Sequence, residues 1–392
     1  MNWKKYYSER AKGLKASQIR ELLKIAQKPE VISFAGGLPN PDSYPVEQVR
    51  ECINYILDTE AEQALQYGAT DGYVKLREFL AERMGKRGYN AKPEGILVTA
   101  GSQQGLDLVS KVFIEKDDVV LTESPTYLGG LGAFRAYQGR IETIPLQEDG
   151  MDLDLLENRL KTGKKPKFIY IVSTFQNPAG VCMSTEKRKR IVEISLKYDV
   201  PLIEDNPYSE LAFSSEPPKP IIAYSQGNVL YLGTFSKVFS PGIRVAWIAG
   251  PTEIVNKLMI AKQSTDLCSN VLSQRMVYEY CRRGYLDENL KKIREMYKRK
   301  KDLMLKTMGE EFPEEVTWTK PEGGLFLWVT LPEYVDTEEM FKEAIKNNVA
   351  YVVGSAFEGG KNTMRLNFSF ASDEKIVEGI TRLGKVIRST LQ

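Results

Sequence analysis

The sequence predicts an α/β protein with a mainly parallel sheet of seven strands, flanked by helices, and a second, smaller α+β domain. From about residue 95 to residue 250, seven apolar β-type runs alternate with stretches of helical periodicity. This alternation is typical of a parallel sheet whose crossover connections are helices. After residue 250 the pattern changes to long helices and then to mixed strands and helices. A chain of 392 residues is long enough for two domains.

The predicted elements follow from these runs in chain order. Before the sheet, helical spacing covers 15–27, 46–58 and 73–87. The seven strands are predicted at 95–100, 118–123, 140–146, 167–173, 200–205, 228–235 and 244–250. Helices lie between them at 103–115, 126–138, 152–161 and 185–198. Beyond the sheet we predict long helices over 252–308 with a break at Gly284, strands at 323–332, 349–354 and 363–370, and helices at 337–347 and from 373.

The change of pattern also suggests where the domains divide. We assign residues 46–290 to the large domain. Residues 1–45 and 291–392 form a discontinuous small domain, in which the N-terminal segment packs with the C-terminal part.

Composition excludes several classes of function. The net charge of +2 gives no reason to expect a nucleic acid or membrane partner. The chain lacks an apolar run of about 20 residues and an apolar N-terminal leader, so we expect a cytoplasmic protein. Its four cysteines form no CxxC pair, and no metal site is expected. Because histidine is absent, Ser-His-Asp and Cys-His mechanisms and HExxH zinc sites are excluded.

The string GTFSKVFSPGIR (233–244) carries the strongest chemical signal, because it directly follows an apolar strand. Lys237 can form a Schiff base with an aldehyde cofactor. Thr234, Ser236 and Arg244 can then hold a phosphate, for which the planar guanidinium is well suited. A surface lysine in a serine-rich turn is the alternative, but the ordered string favours a functional role.

Two further motifs lie at the ends of the predicted strands 167–173 and 200–205. Asp205 is placed to keep the pyridine nitrogen of pyridoxal phosphate (PLP) protonated, and Tyr208 to donate to the cofactor's phenolic oxygen. Asn177, in FQNPAG (175–180), can donate to the same oxygen and help to hold a carboxylate. Without the Lys237 string, a turn cap would be the preferred interpretation of Asp205, and an ordinary turn that of the Asn-Pro pair.

The string TAGSQQG (99–105) joins a strand to a helix, and the free N–H groups of a helix N-terminus can bind phosphate. Ser102 and Gln103 add donors there, although Ser102 is also an ordinary N-cap residue. Tyr127 can stack on a planar ring or be one more core aromatic. Arg365 lies in an apolar strand pattern and needs an anionic partner, either a substrate carboxylate or an internal acid.

Taken together, the motifs resemble those of fold-type I PLP-dependent aminotransferases of classes I and II, over residues 15 to 385. The closest likeness is to the 2-aminoadipate, kynurenine and aromatic aminotransferases. The strings that carry it are KASQIRELLK, VISFAGGLPNPDSYP, ALQYGATDGY, TAGSQQGLDL, STFQNPAG, YLGTFSKVFSPGIRVAW and KPEGG. Their order and spacing, more than any single motif, make the likeness specific.

The resemblance assigns a role to each residue. It implies Lys237 as the Schiff-base lysine, Asp205 at the pyridine nitrogen, and Asn177 with Tyr208 at the phenolic oxygen. The phosphate ligands would be Ser102, Gln103, Thr234, Ser236 and Arg244, with Tyr127 stacked on the ring. The substrate α-carboxylate would be held by Arg365, Asn177 and the backbone at Gly36 and Gly37.

Two assignments come from the resemblance alone. The family is dimeric, and Tyr67, which shows no chemistry by itself, would reach the phosphate in the partner subunit. Arg20 matches a position on a helix near the substrate side chain, with a solvated helix residue as the alternative.

The predicted function is transfer of the amino group of an L-amino acid to a 2-oxo acid such as 2-oxoglutarate, in a ping-pong cycle with Lys237 as the base. The amino acid is 2-aminoadipate, an aromatic residue or one of a broad range. A PLP-dependent racemase or lyase on the same fold is the first alternative. A PLP-binding transcriptional regulator is the second, disfavoured because only about 15 residues precede the region of resemblance.

Overall fold

The structure is a computed structural model that describes residues 1–14, 28, 30–213 and 216–392. The helix predicted at 15–27, and with it Arg20, lies outside the described residues. The first described elements are α1 (Glu9–Gly13), β1 (Ile32–Ser33), α2 (Val46–Thr59), α3 (Ala61–Leu65) and α4 (Val74–Lys86). The helices predicted at 46–58 and 73–87 are therefore present as α2 and α4.

Strands and helices then alternate, as the apolar runs predict. In chain order the elements are β2 (Ile96–Thr99), α5 (Ser102–Phe113), β3 (Val119–Ser124), α6 (Leu128–Ala136), β4 (Arg140–Gln147), β5 (Gly150–Met151), α7 (Leu153–Thr162), β6 (Phe168–Ile171), α8 (Thr185–Tyr198), β7 (Leu202–Asp205), β8 (Val229–Thr234) and β9 (Ala246–Ala249). Local sequence explains the helix starts: the Asp152 and Ser184 side chains cap α7 and α8 by accepting from backbone N–H groups.

The strands form one sheet in the order β2-β9-β8-β7-β6-β3-β4-β5. All pairings among β3, β4, β6, β7 and β8 are parallel, whereas β9 runs antiparallel to both of its neighbours. The seven predicted strands are all present. The eighth, β5, is a two-residue edge strand that pairs with β4 after a turn at 148–149, and its first residue, Gly150, has a φ of +113°, which favours glycine. Two residues are too few to leave a periodic signal.

The chain continues with α9 (Thr252–Gln263), α10 (Val271–Arg282), α11 (Tyr285–Glu311), β10 (Thr317–Trp318), β11 (Phe326–Thr330), α12 (Thr337–Lys346), β12 (Val349–Ala350), β13 (Val352–Val353), β14 (Thr363–Asn367) and α13 (Asp373–Leu391). The break predicted at Gly284 is present, with φ at +79° between α10 and α11. An antiparallel sheet has the order β10-β11-β14-β13, and β1 pairs in parallel with β12. The division of the chain at 45/46 and 290/291 stays a prediction.

Apart from β4, which is largely exposed or half-buried, the strands of the large sheet are mostly buried on both faces, which explains why they read as continuous apolar runs. Every residue of β2, β6, β7 and β8 is buried. Full burial of one large aliphatic or aromatic side chain contributes about 1.5–3 kcal/mol, so these strands form a rigid platform. Among the described helices, none has the length and apolar character needed to cross a membrane.

Candidate active site

A cavity of about 450 Å³ opens at the carboxyl ends of the parallel strands, where ligands bind in sheets of this kind. Most of the residues singled out in the sequence line it. They are Gly36, Gly37, Ser102, Gln103, Tyr127, Asn177, Asp205, Tyr208, Thr234, Ser236, Lys237, Arg244 and Arg365. Segments more than 300 residues apart in sequence thus meet in one place.

Lys237 lies directly beyond β8 and is partly buried. Its Nζ donates a 2.7 Å hydrogen bond to the Gly37 carbonyl oxygen. Burial, and then the positive charges of Arg365 and Arg244, lower the pKa of the Lys237 amine to about 8, while Asp205 acts in the opposite direction. An amine with such a pKa is neutral in about a tenth of the molecules at pH 7, far more than an ordinary lysine, and the neutral amine is the nucleophile and base.

Asp205 is the last residue of β7 and is fully enclosed. Its Oδ2 accepts a 2.8 Å hydrogen bond from the Tyr170 hydroxyl, whereas the buried Oδ1 has no hydrogen-bond partner among the described residues. Burial raises the pKa of Asp205 to about 6, against the opposing effect of the Tyr170 hydrogen bond. The carboxylate therefore has one oxygen fixed in place and the other available to a cationic N–H.

Asn177 connects two other groups of the cavity. Its Nδ2 lies 3.4 Å from the Tyr208 hydroxyl oxygen, and its Oδ1 accepts a 2.8 Å hydrogen bond from Arg365 Nη1. Burial raises the pKa of Tyr208 far above its usual value, so the phenol stays protonated and can donate. The amide thereby orients both a phenol and a guanidinium towards the cavity.

The Arg365 guanidinium is buried between two aromatic rings. It lies 4.3 Å from the Phe326 ring centroid and 4.9 Å from that of Phe357, and its Nη2 donates to the Ala35 carbonyl oxygen at 2.7 Å. Burial lowers the pKa of Arg365 to about 10, so it remains charged at neutral pH. Neither hydrogen-bond partner carries a negative charge, which leaves the cation suited to an incoming carboxylate.

A second cationic region lies where β2 leads into α5. Arg244 donates to the Ala100 carbonyl oxygen at 3.2 Å and packs directly against Gly101. A Cβ at Gly101 would lie 2.1 Å from Arg244 Nη2, and the φ of +84° also favours glycine. Next to it, the buried Ser102 hydroxyl at the start of α5 has no hydrogen-bond partner among the described residues. A helix N-terminus, a hydroxyl and a guanidinium therefore lie side by side here, and groups of these kinds bind anions in proteins.

Two hydroxyls, of Thr234 and Ser236, lie at the end of β8 and just beyond it. Thr234 Oγ1 donates to Ser236 Oγ at 3.0 Å and accepts from the Ser236 backbone N–H. Gln103 donates to the Gly129 carbonyl oxygen at 2.9 Å, which fixes its side chain beside Tyr127 at the cavity wall. Tyr67, in contrast, does not line the cavity of its own chain and is 79% exposed.

The sequence did not single out Tyr170 or the Ala35 carbonyl. Tyr170 is the tyrosine of the KFIYIVS run, and β6 pairs with β7 in a register that sets it opposite Ile203, two residues from Asp205. Knowing the strand order would have pointed to it, because residues two apart share a face. The Ala35 oxygen leaves no side-chain signal.

Strands, cavity and motifs together define a class of protein. The family model described as aminotransferase class I and II matches residues 29–383, and the chain belongs to this family.

Similar proteins include the aromatic-amino-acid aminotransferase 1 of Thermococcus litoralis, which is 50% identical over 100% of this chain and 96% of that protein. The 2-aminoadipate transaminase of Thermus thermophilus is 42% identical over 100% of this chain and 98% of that protein. A solved structure of the Pyrococcus horikoshii kynurenine aminotransferase, in complex with PMP, superposes with a TM-score of 0.96 at 46% identity, covering 99% of this chain and 98% of that one.

Proposed function

We propose that the protein is a PLP-dependent transaminase, which moves the amino group of an L-amino acid to a 2-oxo acid such as 2-oxoglutarate. One observation carries the proposal: a single cavity holds a lysine of lowered pKa, a buried carboxylate and a buried arginine. Among the described residues, one oxygen of that carboxylate has no hydrogen-bond partner and the arginine has no acidic one. Family membership and relatives named for aromatic amino acids, kynurenine and 2-aminoadipate support the same reaction.

The residues present fit the cofactor. The free Asp205 Oδ1 and the free Ser102 hydroxyl are two buried polar atoms without hydrogen-bond partners in the described chain, and both belong to residues of this cavity. The first suits a protonated pyridine nitrogen and the second a phosphate oxygen. Gly101 leaves room for a phosphate that a side chain would fill. Gln103, Thr234, Ser236 and Arg244 would complete the phosphate ligands, and Tyr127 would stack on the ring.

When bound, PLP supplies a conjugated ring that accepts the electron pair left on the substrate α-carbon. The chain's own residues do the rest. Arg365 binds the substrate α-carboxylate, with Asn177 orienting its guanidinium. Lys237 Nζ, neutral in part of the population, would take the proton from the substrate α-carbon and serve as the acid that gives it back. Asp205, ionised above its pKa of about 6, would accept a hydrogen bond from a protonated ring nitrogen.

Three finer statements belong to the same proposal. The protein works as a homodimer, and Tyr67, exposed in the single chain, reaches the phosphate bound in the partner subunit. It acts in the cytoplasm. It accepts a broad range of amino acids, as the different substrates named for its relatives suggest.

The test is an absorbance spectrum of the purified protein before and after addition of L-glutamate. We expect a visible band from lysine-bound PLP that gives way to a near-ultraviolet band, together with release of 2-oxoglutarate. Lys237→Ala should lack the visible band and turnover, and Lys161→Ala, an exposed lysine on α7, is the matched control. A wild-type protein that stays colourless with PLP present would refute the proposal. Formation of D-glutamate instead of the 2-oxo acid would indicate a racemase.

A further inference from the structure

Arg188, on α8, is the largest fully buried side chain of the described residues, yet it does not line the cavity. A guanidinium removed from water is tolerated only when its charge is balanced and its donors are satisfied. The hydrogen bonds and the charge partner of Arg188 therefore indicate what this buried side chain does.

The donors of Arg188 bind both ends of one loop, residues 173–183, which we call the Asn177 loop. Nη2 donates to the Ser173 carbonyl oxygen at 2.6 Å and to Thr174 Oγ1 at 3.0 Å, at the start of the loop. Nε donates to the Met183 carbonyl oxygen at 2.8 Å, at its end. The Met183 N–H donates to Ser173 O at 2.9 Å and closes the base. One planar side chain thus fixes the separation of the two ends.

The tip of the Asn177 loop is braced by hydrogen bonds within the loop and, through Gln176, by the segment at Glu123 and Pro125. The Gly180 N–H donates to the Gln176 carbonyl oxygen at 2.6 Å, and the Ala179 N–H to Gln176 Oε1 at 2.8 Å. Gln176 Nε2 also donates to the Pro125 carbonyl oxygen at 2.7 Å. A loop held in this way moves as a unit, and a shift at the base displaces Asn177 relative to Arg365.

The charge of Arg188 is balanced by Glu204, whose Oε1 lies 3.8 Å from Nη1 and which is also fully buried. Glu204 accepts from Ser173 Oγ at 2.5 Å and from the backbone N–H groups of Ile221 and Ile222 at 2.9 and 3.0 Å. It precedes Asp205 on β7, so the two carboxylates point to opposite faces of the sheet. The pair therefore ties the strand that carries Asp205 to the loop that carries Asn177.

We propose that Arg188 is a positioning residue for substrate recognition: by gripping both ends of the Asn177 loop, it sets the Asn177 amide that orients the Arg365 guanidinium towards the substrate carboxylate. This inference rests on the proposed transaminase function. It differs from a purely structural role, in which loss of Arg188 would lower stability without a specific effect on carboxylate binding.

The test is a double-mutant cycle on the holoenzyme with Arg188→Lys and Asn177→Ala. Lysine keeps a positive charge near Glu204 but cannot donate to both ends of the loop. We expect Arg188→Lys to raise KM for L-glutamate about tenfold with a smaller change in kcat. In the Asn177→Ala background the same change should alter KM less than twofold, because coupled residues are non-additive. Arg159→Lys, which loosens the pair between Arg159 on α7 and Glu142 on β4, is the control without coupling to Asn177.

A second variant and a second readout keep the test decisive if Arg188→Lys folds poorly. Thr174→Val removes one acceptor of the guanidinium and should raise KM two- to fivefold in the same direction. In protein without PLP, both variants should increase hydrogen–deuterium exchange of amides 174–182 but not of α7. Equal KM effects in both Asn177 backgrounds, or unchanged KM and exchange in a folded variant, would overturn the inference. A wild-type protein without the visible band would refute the transaminase proposal instead.

Discussion

Replacing Lys237 by methionine should stabilise the protein lacking PLP at neutral pH, although it removes the catalytic base. In the folded chain the pKa of this amine falls from 10.5 to about 8. A pKa change of one unit corresponds to about 1.4 kcal/mol. The free energy of the charged amine, relative to the neutral amine, is therefore roughly 3 kcal/mol higher in the folded than in the unfolded chain. Methionine has a similar shape and no charge. Partial burial and the hydrogen bond to the Gly37 carbonyl oxygen reduce the expected gain at pH 7 to about 1–3 kcal/mol.

The pH dependence distinguishes this effect from simple packing. Below about pH 8 the amine is charged in both states and the full penalty applies. Between pH 8 and 10.5 the folded chain carries a neutral amine while the unfolded chain is still protonated, so the stability of the wild type rises through this window. The advantage of Lys237→Met should therefore shrink by about 2–3 kcal/mol between pH 7 and pH 10.5.

The assay is urea unfolding of the two proteins without PLP, followed by circular dichroism at pH 7, 9 and 10.5. Lys161→Met, at an exposed position, should show no change relative to the wild type over this range. A difference between Lys237→Met and the wild type that stays constant with pH, or a wild type more stable at pH 7, would refute the lowered pKa.

Three further predictions concern the other groups of the cavity. Arg365→Lys should raise KM for both the amino acid and the 2-oxo acid 10- to 100-fold, because an ammonium cannot donate the two parallel hydrogen bonds of a planar guanidinium to a carboxylate. Unchanged KM values in steady-state kinetics would contradict the role of Arg365 in binding the substrate carboxylate. Affinity for PLP should fall as the pH drops below about 6, where Asp205 becomes protonated, and Asp205→Asn should bind PLP weakly without that pH dependence in a fluorescence titration. Gly101→Ala should weaken PLP binding more than tenfold, since its Cβ would meet Arg244; Gly132→Ala, whose Cβ meets nothing within 4 Å, is the matched control.

The sequence predicted the main sheet well because buried parallel strands leave long apolar runs. It missed β5, whose two residues have no periodicity. Side chains at strand ends could be placed near one another because the carboxyl ends of parallel strands share an edge. Tyr170 could not be placed without the strand order, and Arg188 reads as one cation among several in TEKRKR (185–190). The burial of Arg188 depends on how α8 packs against the rest of the chain, and a local sequence pattern does not show this.

The connection between β8 and β9 carries both Lys237 and Arg244, and these strands are antiparallel neighbours with Thr234 opposite Ala246. Lys237, the proposed covalent anchor of the cofactor, and Arg244, a proposed phosphate ligand, therefore lie on one short connection. The two ends of this connection are hydrogen-bonded to each other through β8 and β9. Bending elsewhere in the sheet displaces both together and leaves their separation unchanged. We therefore expect that exchanging residues 235–245 between related chains as a single piece would keep the spacing of Lys237 and Arg244.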